Sequence, residues 1–134
     1  MPTDWTSRDS SFPLHIDVSS GPLTQRRLYR VTGVDGAGVP TLTLCGNGQD
    51  ADGVAHANVQ DGAGGFVGPG SIYLACPGFP VRVEAGAAFA SGATLQSDAN
   101  GRAITKTTGT GILRALEAAG AAGDYVWAVW LSGR

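Results

Sequence analysis

Residues 125–131 read YVWAVWL, and this stretch near the end of a chain of 134 residues decides the fold class. Alternate side chains of an extended strand share a face, so the stretch has two apolar sets: Tyr125, Trp127, Val129 and Leu131, and Val126, Ala128 and Trp130. A strand that is apolar on both faces is usually covered on both sides. In so short a chain a neighbouring subunit can supply one cover. We therefore expect Tyr125, Trp127 and Trp130 in the core or in a subunit interface.

Two segments before this strand also indicate β-structure. Residues 97–103, SDANGRA, contain Asn-Gly, which readily supplies the positive φ angles of a tight hairpin. Residues 112–119, ILRALEAA, are ambiguous, because alanine and the spacing of the leucines suit a helix. Eight residues between glycines are marginal for a helix, so we predict a strand there.

The rest of the chain alternates short apolar runs with glycine-rich turns, and 21 of its residues are glycine. Short strands at spacings of about 8–12 residues are typical of a sandwich or a small barrel. We predict an all-β fold, a small β-barrel or β-sandwich with an extended N-terminal arm. Residues 1–24 form the arm and residues 25–134 form the single domain.

The arm is polar as far as residue 11, and alternating apolar residues then predict a short strand. Such a strand must pair with its own sheet, a neighbouring subunit or the sheet edge of a partner. The arm also carries aromatic residues, which make good anchors for a partner pocket, unless the arm folds back on its own domain. The candidate partner contacts are Trp5, Phe12, Leu14, Ile16 and Val18, together with Phe66 in the glycine-rich loop 61–70.

The charge content limits the classes of partner. Charged residues make up 15% of the chain, against about 25% in typical soluble domains. Such a surface fits either an assembly protein or a β-protein with a neutral exterior. A net charge of −2 gives no basic footprint for nucleic acid, and we interpret Arg26, Arg27 and Arg30 as a solvated or partner-facing edge. The sequence has no run of about 18 apolar residues and no recognisable signal peptide, so we expect no membrane partner and synthesis in a reducing cytoplasm.

Searches for catalytic and metal-binding motifs fail. The sequence contains no phosphate-binding loop of the Walker type and no nucleophile elbow. The acidic residues around His56 lack the regular spacing of a calcium loop. Cys45 and Cys76 match no zinc pattern, and we expect free, half-buried thiols, with a single disulfide left open. Glu84 and Glu117 are expected on outward faces. We therefore predict no enzyme, no metal and no cofactor.

The second half of the sequence resembles the small decoration, or cement, proteins of tailed-bacteriophage capsids. The matching passages are EAGAAF at 84–89, SGATL at 91–95, SDANGRA at 97–103, GTGILRALEAA at 109–119 and GDYVWAVWL at 123–131, with a looser match of DGV at 52–54. The resemblance covers about residues 79–131 well and 50–78 weakly. The first half departs from the pattern, because members of the family often begin almost directly with the barrel.

The resemblance implies a structural protein on the exterior of a virion. Such a protein binds the major capsid protein, clamps adjacent subunits and stabilises the assembled shell, often as a homotrimer and with no cofactor. Two alternatives remain open: another virion part, such as a tail or fibre module, and a carbohydrate-binding β-module that uses Trp127 and Trp130.

Overall fold

The computed structural model describes residues 15–18, 23–55 and 70–132, and over these ranges the chain forms strands and no helix. The first sheet contains β1 (His15–Val18), β2 (Leu28–Val34), β3 (Pro40–Leu44), β4 (Gly53–Ala55) and β5 (Gly70–Leu74). The second contains β6 (Pro80–Glu84), β7 (Thr94–Ser97), β8 (Ala103–Thr105), β9 (Leu113–Ala115) and β10 (Tyr125–Trp130). The prediction of an all-β fold is confirmed.

Each sheet is built from one continuous part of the chain. The strand order is β1-β5-β4-β2-β3 in the first sheet and β6-β10-β9-β7-β8 in the second, and all neighbouring strands are antiparallel. The two ends of the second sheet approach each other, because Ala85 forms a bridge with Ala103. The second sheet is therefore partly closed, like a barrel.

The hairpin predicted at residues 97–103 joins β7 to β8. The Asp98 carboxylate accepts the backbone N–H groups of Asn100 and Arg102 at 2.7 and 2.9 Å. The positive φ lies at Gly101 (72°) and not at Asn100. The loop is thus a three-residue hairpin connection in which one left-handed residue follows the turn, because the Asp98 N–H also bonds to the Arg102 carbonyl.

The main core lies where the inner faces of the two sheets meet. Leu28 and Val54 of the first sheet are fully buried with Leu95 and Leu113 of the second. A second cluster packs on the opposite face of the first sheet, where Tyr29, Ala55 and Ile72 are buried with Leu23. Leu28 and Tyr29 point to opposite faces but are both buried, so the first sheet is covered on both sides at this strand.

Within the ambiguous residues 112–119 the strand prediction is confirmed for Leu113–Ala115, which pair with β7 and β10, and the segment contains no helix. Ala119 then makes a separate bridge with Phe89. Glycines on both sides keep the segment short, and burial of Leu113 between the sheets offsets the helical preference of alanine.

The strand inside the predicted arm pairs with its own chain. β1 lies against β5, with His15 opposite Tyr73 and Val18 opposite Gly70. Leu23, near the end of the predicted arm, is buried in the second cluster. Among the partners left open for this strand, the structure shows the sheet of the same chain.

The expected outward position of Glu84 is wrong. Glu84 is 8% exposed, and its carboxylate pairs with the Arg27 guanidinium at 3.2 Å and the Arg102 guanidinium at 3.9 Å. Glu84 is still paired with Tyr125 of β10 and lies on the same face of β6 as Arg82, but the turn before β2 covers it, and the Arg26 carbonyl accepts the Glu84 N–H. The carboxylate therefore joins the two sheets by a partly buried ion pair.

Candidate partner-binding surface

The outer face of β10 carries exposed aromatic side chains. Tyr125 is 42% exposed and Trp127 is 45% exposed, whereas Trp130 on the other face is 2% exposed. The strand is therefore covered on one face only within the described chain. The sequence predicted that these three residues lie in the core or in an interface. The structure places Trp130 in the core, and Tyr125 and Trp127 lie on an exposed surface suited to a partner.

A groove of about 270 Å³ lies beside this aromatic face. Its walls come from both sheets, and they include Arg26, Tyr73, Leu74, Phe79, Arg82 and Trp127. We call this feature the inter-sheet groove. Phe79 precedes β6 and is 39% exposed, so the groove has an apolar wall that is open to solvent.

Two arginines stack on aromatic rings at the walls of the inter-sheet groove. The Arg82 guanidinium lies over the Trp127 ring at 5.9 Å, and the Arg26 guanidinium lies over the Tyr73 ring at 5.8 Å. Both distances are within the range of a cation–π interaction. Within residues 23–55 and 70–132, neither guanidinium forms an ion pair with a carboxylate, so both charges remain available to a ligand.

The backbone holds Arg26 in an unusual conformation. Its φ is 65°, and no other non-glycine residue in the described ranges has a positive φ. The Arg26 N–H donates to the Ala55 carbonyl at 3.0 Å, and the Arg26 carbonyl accepts from Glu84 at 2.9 Å. Both sheets therefore fix a residue whose conformation costs about 1 kcal/mol or more. The position of the Arg26 side chain at the groove follows from this double attachment.

The free edge of β6 runs along the inter-sheet groove. In the antiparallel pair with β10, Glu84 points its N–H away from β10 and toward Arg26. Arg82, two residues earlier, must point its own N–H and C=O in the same direction, because the hydrogen-bonding direction alternates along a strand. Pro80 has no N–H to offer. The edge thus presents the N–H and C=O of Arg82, together with the outward-pointing carbonyl of Pro80.

The sequence-predicted contact residues have different outcomes. Ile16 and Val18 belong to β1, although the structure describes only their backbone. Trp5, Phe12, Leu14 and Phe66 lie outside the described residues, so their role stays a prediction. Trp127 and Trp130 project from opposite faces of β10 and do not form one exposed platform for a sugar.

The basic cluster also divides. The Arg27 side chain pairs with Glu84, whereas Arg26 lines the inter-sheet groove.

Sequence analysis did not predict Arg82, Tyr73 and Phe79 as groove residues. The alternation of β6 predicts that Arg82 is exposed, but its place in the same groove as Tyr73 depends on how the two sheets pack.

The remaining candidate chemistry gives no second site. Cys45 and Cys76 are free thiols, and burial of Cys45 raises the pKa of its thiol to about 12. The described ranges contain no group of three or more His, Cys, Asp or Glu side chains placed to hold a metal ion. They also contain no helix long and apolar enough to cross a membrane.

Comparison with known proteins reveals a structural neighbour. No protein-family model matches the chain, and no curated protein matches it. Among solved structures, the chain is similar to the N base of head fiber gp8.5 of bacteriophage phi29, with a TM-score of 0.70 and 18% sequence identity. The match covers 87% of this chain and 92% of that chain. The likeness therefore extends over nearly the whole of both chains, and at this identity it shows a shared fold.

Proposed function

We propose that this chain is a structural protein of a bacteriophage virion that binds the outside of the capsid and performs no catalysis. The observation that carries the proposal is the fold shared with the base of a phage head fiber over nearly the full length of both chains. Independent support comes from the sequence passages that resemble capsid decoration proteins. These passages supply most of the second sheet, including the hairpin at residues 97–103 and the strand β10.

The proposed mechanism is a clamp between adjacent major capsid subunits. A decoration protein that binds the assembled shell and not free subunits stabilises the shell by mass action. Homo-oligomerisation, with a trimer as the favoured state, multiplies weak contacts into strong attachment. The exposed face with Tyr125 and Trp127 fits an interface between copies, since aromatic residues are enriched at such contacts. The segment with Trp5 and Phe12 and the loop with Phe66 are the proposed capsid contacts.

A second candidate function is the base of a head fiber. The structural neighbour from bacteriophage phi29 is the N base of such a fiber, so a fibre module is a specific competitor to the clamp. The two functions differ in their effect on the thermal stability of the capsid. A clamp raises the temperature at which the shell opens, whereas a fibre base attaches a further component and leaves that temperature unchanged.

The test is co-sedimentation with phage heads stripped of accessory proteins. Saturable binding by the full chain is expected, with loss of binding when residues 1–13 are deleted. The deletion stops there because β1 pairs with β5 and Leu23 is buried, so a deletion of residues 1–24 would also damage the fold. Unfolding of the shortened chain, followed by circular dichroism, checks that it remains folded.

A matched pair of surface variants tests whether the β10 face joins copies of the chain. Trp127→Ala removes a side chain of the β10 face that is 45% exposed, and Val34→Ala removes an apolar side chain of β2, in the other sheet, that is 67% exposed. If the β10 face forms the interface between copies, only Trp127→Ala should weaken self-association in analytical ultracentrifugation, and Val34→Ala should leave it unchanged. Absence of binding to heads by the full chain would contradict the proposed function, whatever the oligomeric state.

A further inference from the structure

We propose that the inter-sheet groove binds the segment of this same chain that precedes β1, residues 1–14, which lie outside the described residues. This inference concerns the free protein and stands apart from the proposed attachment to capsids. Three observations support it: the direction in which the chain enters β1, the chemistry of the groove walls and the free edge of β6.

The direction of β1 places the preceding residues beside the groove. β1 is antiparallel to β5, with His15 opposite Tyr73 and Val18 opposite Gly70. The chain therefore enters β1 from the side of β5 that continues from Tyr73 to Leu74. Both of these residues line the inter-sheet groove. Residues before His15 thus need no long linker to reach it.

The chemistry of the groove complements that of the segment. The groove offers an apolar wall with Phe79 and two guanidinium groups without a carboxylate partner in the described chain. The segment has the sequence MPTDWTSRDSSFPL, in which Asp4 directly precedes Trp5. A carboxylate forms strong hydrogen bonds with a guanidinium, and an indole buries apolar area against such a wall.

The free edge of β6 supplies the backbone contacts. The N–H and C=O of Arg82 point away from β10 toward the groove side. An extended segment can satisfy both groups by adding a short strand at this edge. Pairing there places alternate side chains of the segment beside Arg82, on the groove side of β6.

Trypsin cleavage after Arg8 tests the proposal, because Arg8 lies within the segment. A docked segment should be cut at least roughly tenfold more slowly in the native full chain than in a free peptide of residues 1–14, since cleavage requires release. Mass spectrometry follows this cut separately from all others. Equal rates for the chain and the peptide would overturn the proposal.

A double-mutant cycle assigns the protection to the groove. Arg82→Gln and Asp4→Asn should each accelerate the cut about fivefold, and the double variant should be no faster than either single variant. Arg82→Lys, which keeps the charge, should retain most of the protection. Arg114→Gln removes an exposed charge from β9 and should have no effect. An equal effect of Arg114→Gln, or fully multiplicative effects of the two groove variants, would contradict the contact.

Protein concentration distinguishes the same chain from a neighbouring copy. Protection within one chain is independent of concentration, whereas exchange of segments between copies strengthens it as concentration rises. A constant cleavage rate over a hundredfold dilution is the expected result. Protection that disappears on dilution would overturn the assignment to the same chain.

Discussion

At Gly101 the backbone conformation and the surroundings both require glycine. The φ is 72°, and a Cβ built there would lie 2.5 Å from Leu44 Cδ1 and 3.0 Å from the Leu28 carbonyl oxygen. The Gly101 carbonyl also accepts the Leu28 N–H at 2.7 Å. The hairpin of the second sheet therefore packs directly against the first sheet at this residue.

This position gives a matched pair of stability variants. Gly101→Ala should lower the free energy of unfolding by roughly 2–4 kcal/mol, because a left-handed alanine is combined with overpacking against Leu44. Gly92→Ala should cost only about 1–2 kcal/mol, since Gly92 has a φ of 86° but no atom within 4 Å of an added Cβ. Urea unfolding measures both, and equal losses would refute the close packing at Gly101.

The Cys45 thiol links stability to alkaline pH. Burial raises its pKa from 9.0 to about 12 in the folded chain. The unfolded chain therefore releases this proton above pH 9 while the folded chain keeps it. Because the folded state binds more protons there, the free energy of unfolding should fall by up to about 1.4 kcal/mol per pH unit between pH 9 and 12.

The measurement compares the native chain with Cys45→Ala. Unfolding is followed in urea from pH 7 to pH 11, and the difference between the two proteins removes the contributions of the other titrating groups. The excess loss should be absent below pH 9 and should appear above it. Cys76→Ala is the control, and it should keep the alkaline loss of the native chain.

At the scale of elements, one buried side chain holds the loop between β8 and β9. Gln96 on β7 is 1% exposed. Its Oε1 accepts the N–H groups of Thr107 and Gly109, both at 2.9 Å, and its Nε2 donates to Asn47 Oδ1 at 3.2 Å. This amide joins three segments of the chain, so its contribution to the free energy of unfolding exceeds that of one hydrogen bond.

Replacing the amide should release the loop. Gln96→Leu is expected to cost roughly 2–4 kcal/mol, because two backbone donors lose their acceptor in a partly buried site. Amide hydrogen exchange at Thr107 and Gly109 should accelerate together. Gln49→Leu is the control, since the Gln49 oxygen accepts a single N–H, from Gly46, at an exposed position. A similar loss in both variants would show that burial is not the cause.

The same scale shows what the sequence could predict. The strand at 125–131 and the hairpin at 97–103 follow from alternation and turn chemistry, which are local properties. The inward position of Glu84 does not, because its partners Arg27 and Arg102 are distant in sequence and meet only when the sheets pack. For residues 112–119 the flanking glycines indicated the right class of structure, while the length of β9 depended on its neighbours.

For the whole molecule, the inter-sheet groove was beyond sequence analysis. Arg26, in the turn before β2, stacks on Tyr73 of the first sheet, whereas Arg82 stacks on Trp127 of the second. Periodicity assigns a face to each residue but does not say which two sheet edges lie side by side. The sequence predicted that both faces of β10 are covered. In the described chain only the face with Trp130 is covered, and the face with Tyr125 and Trp127 is exposed.

The division of the sheets along the chain has a consequence for synthesis. Residues as far as Leu74 complete the first sheet, and every strand of the second follows from Pro80 onward. Leu28 and Val54 are buried in a core that the second half must complete. As the chain leaves the ribosome, the first sheet must therefore wait with its inner face in water until the C-terminal half emerges. During that interval Leu28 and Val54 form an exposed apolar surface of the kind on which incomplete chains aggregate.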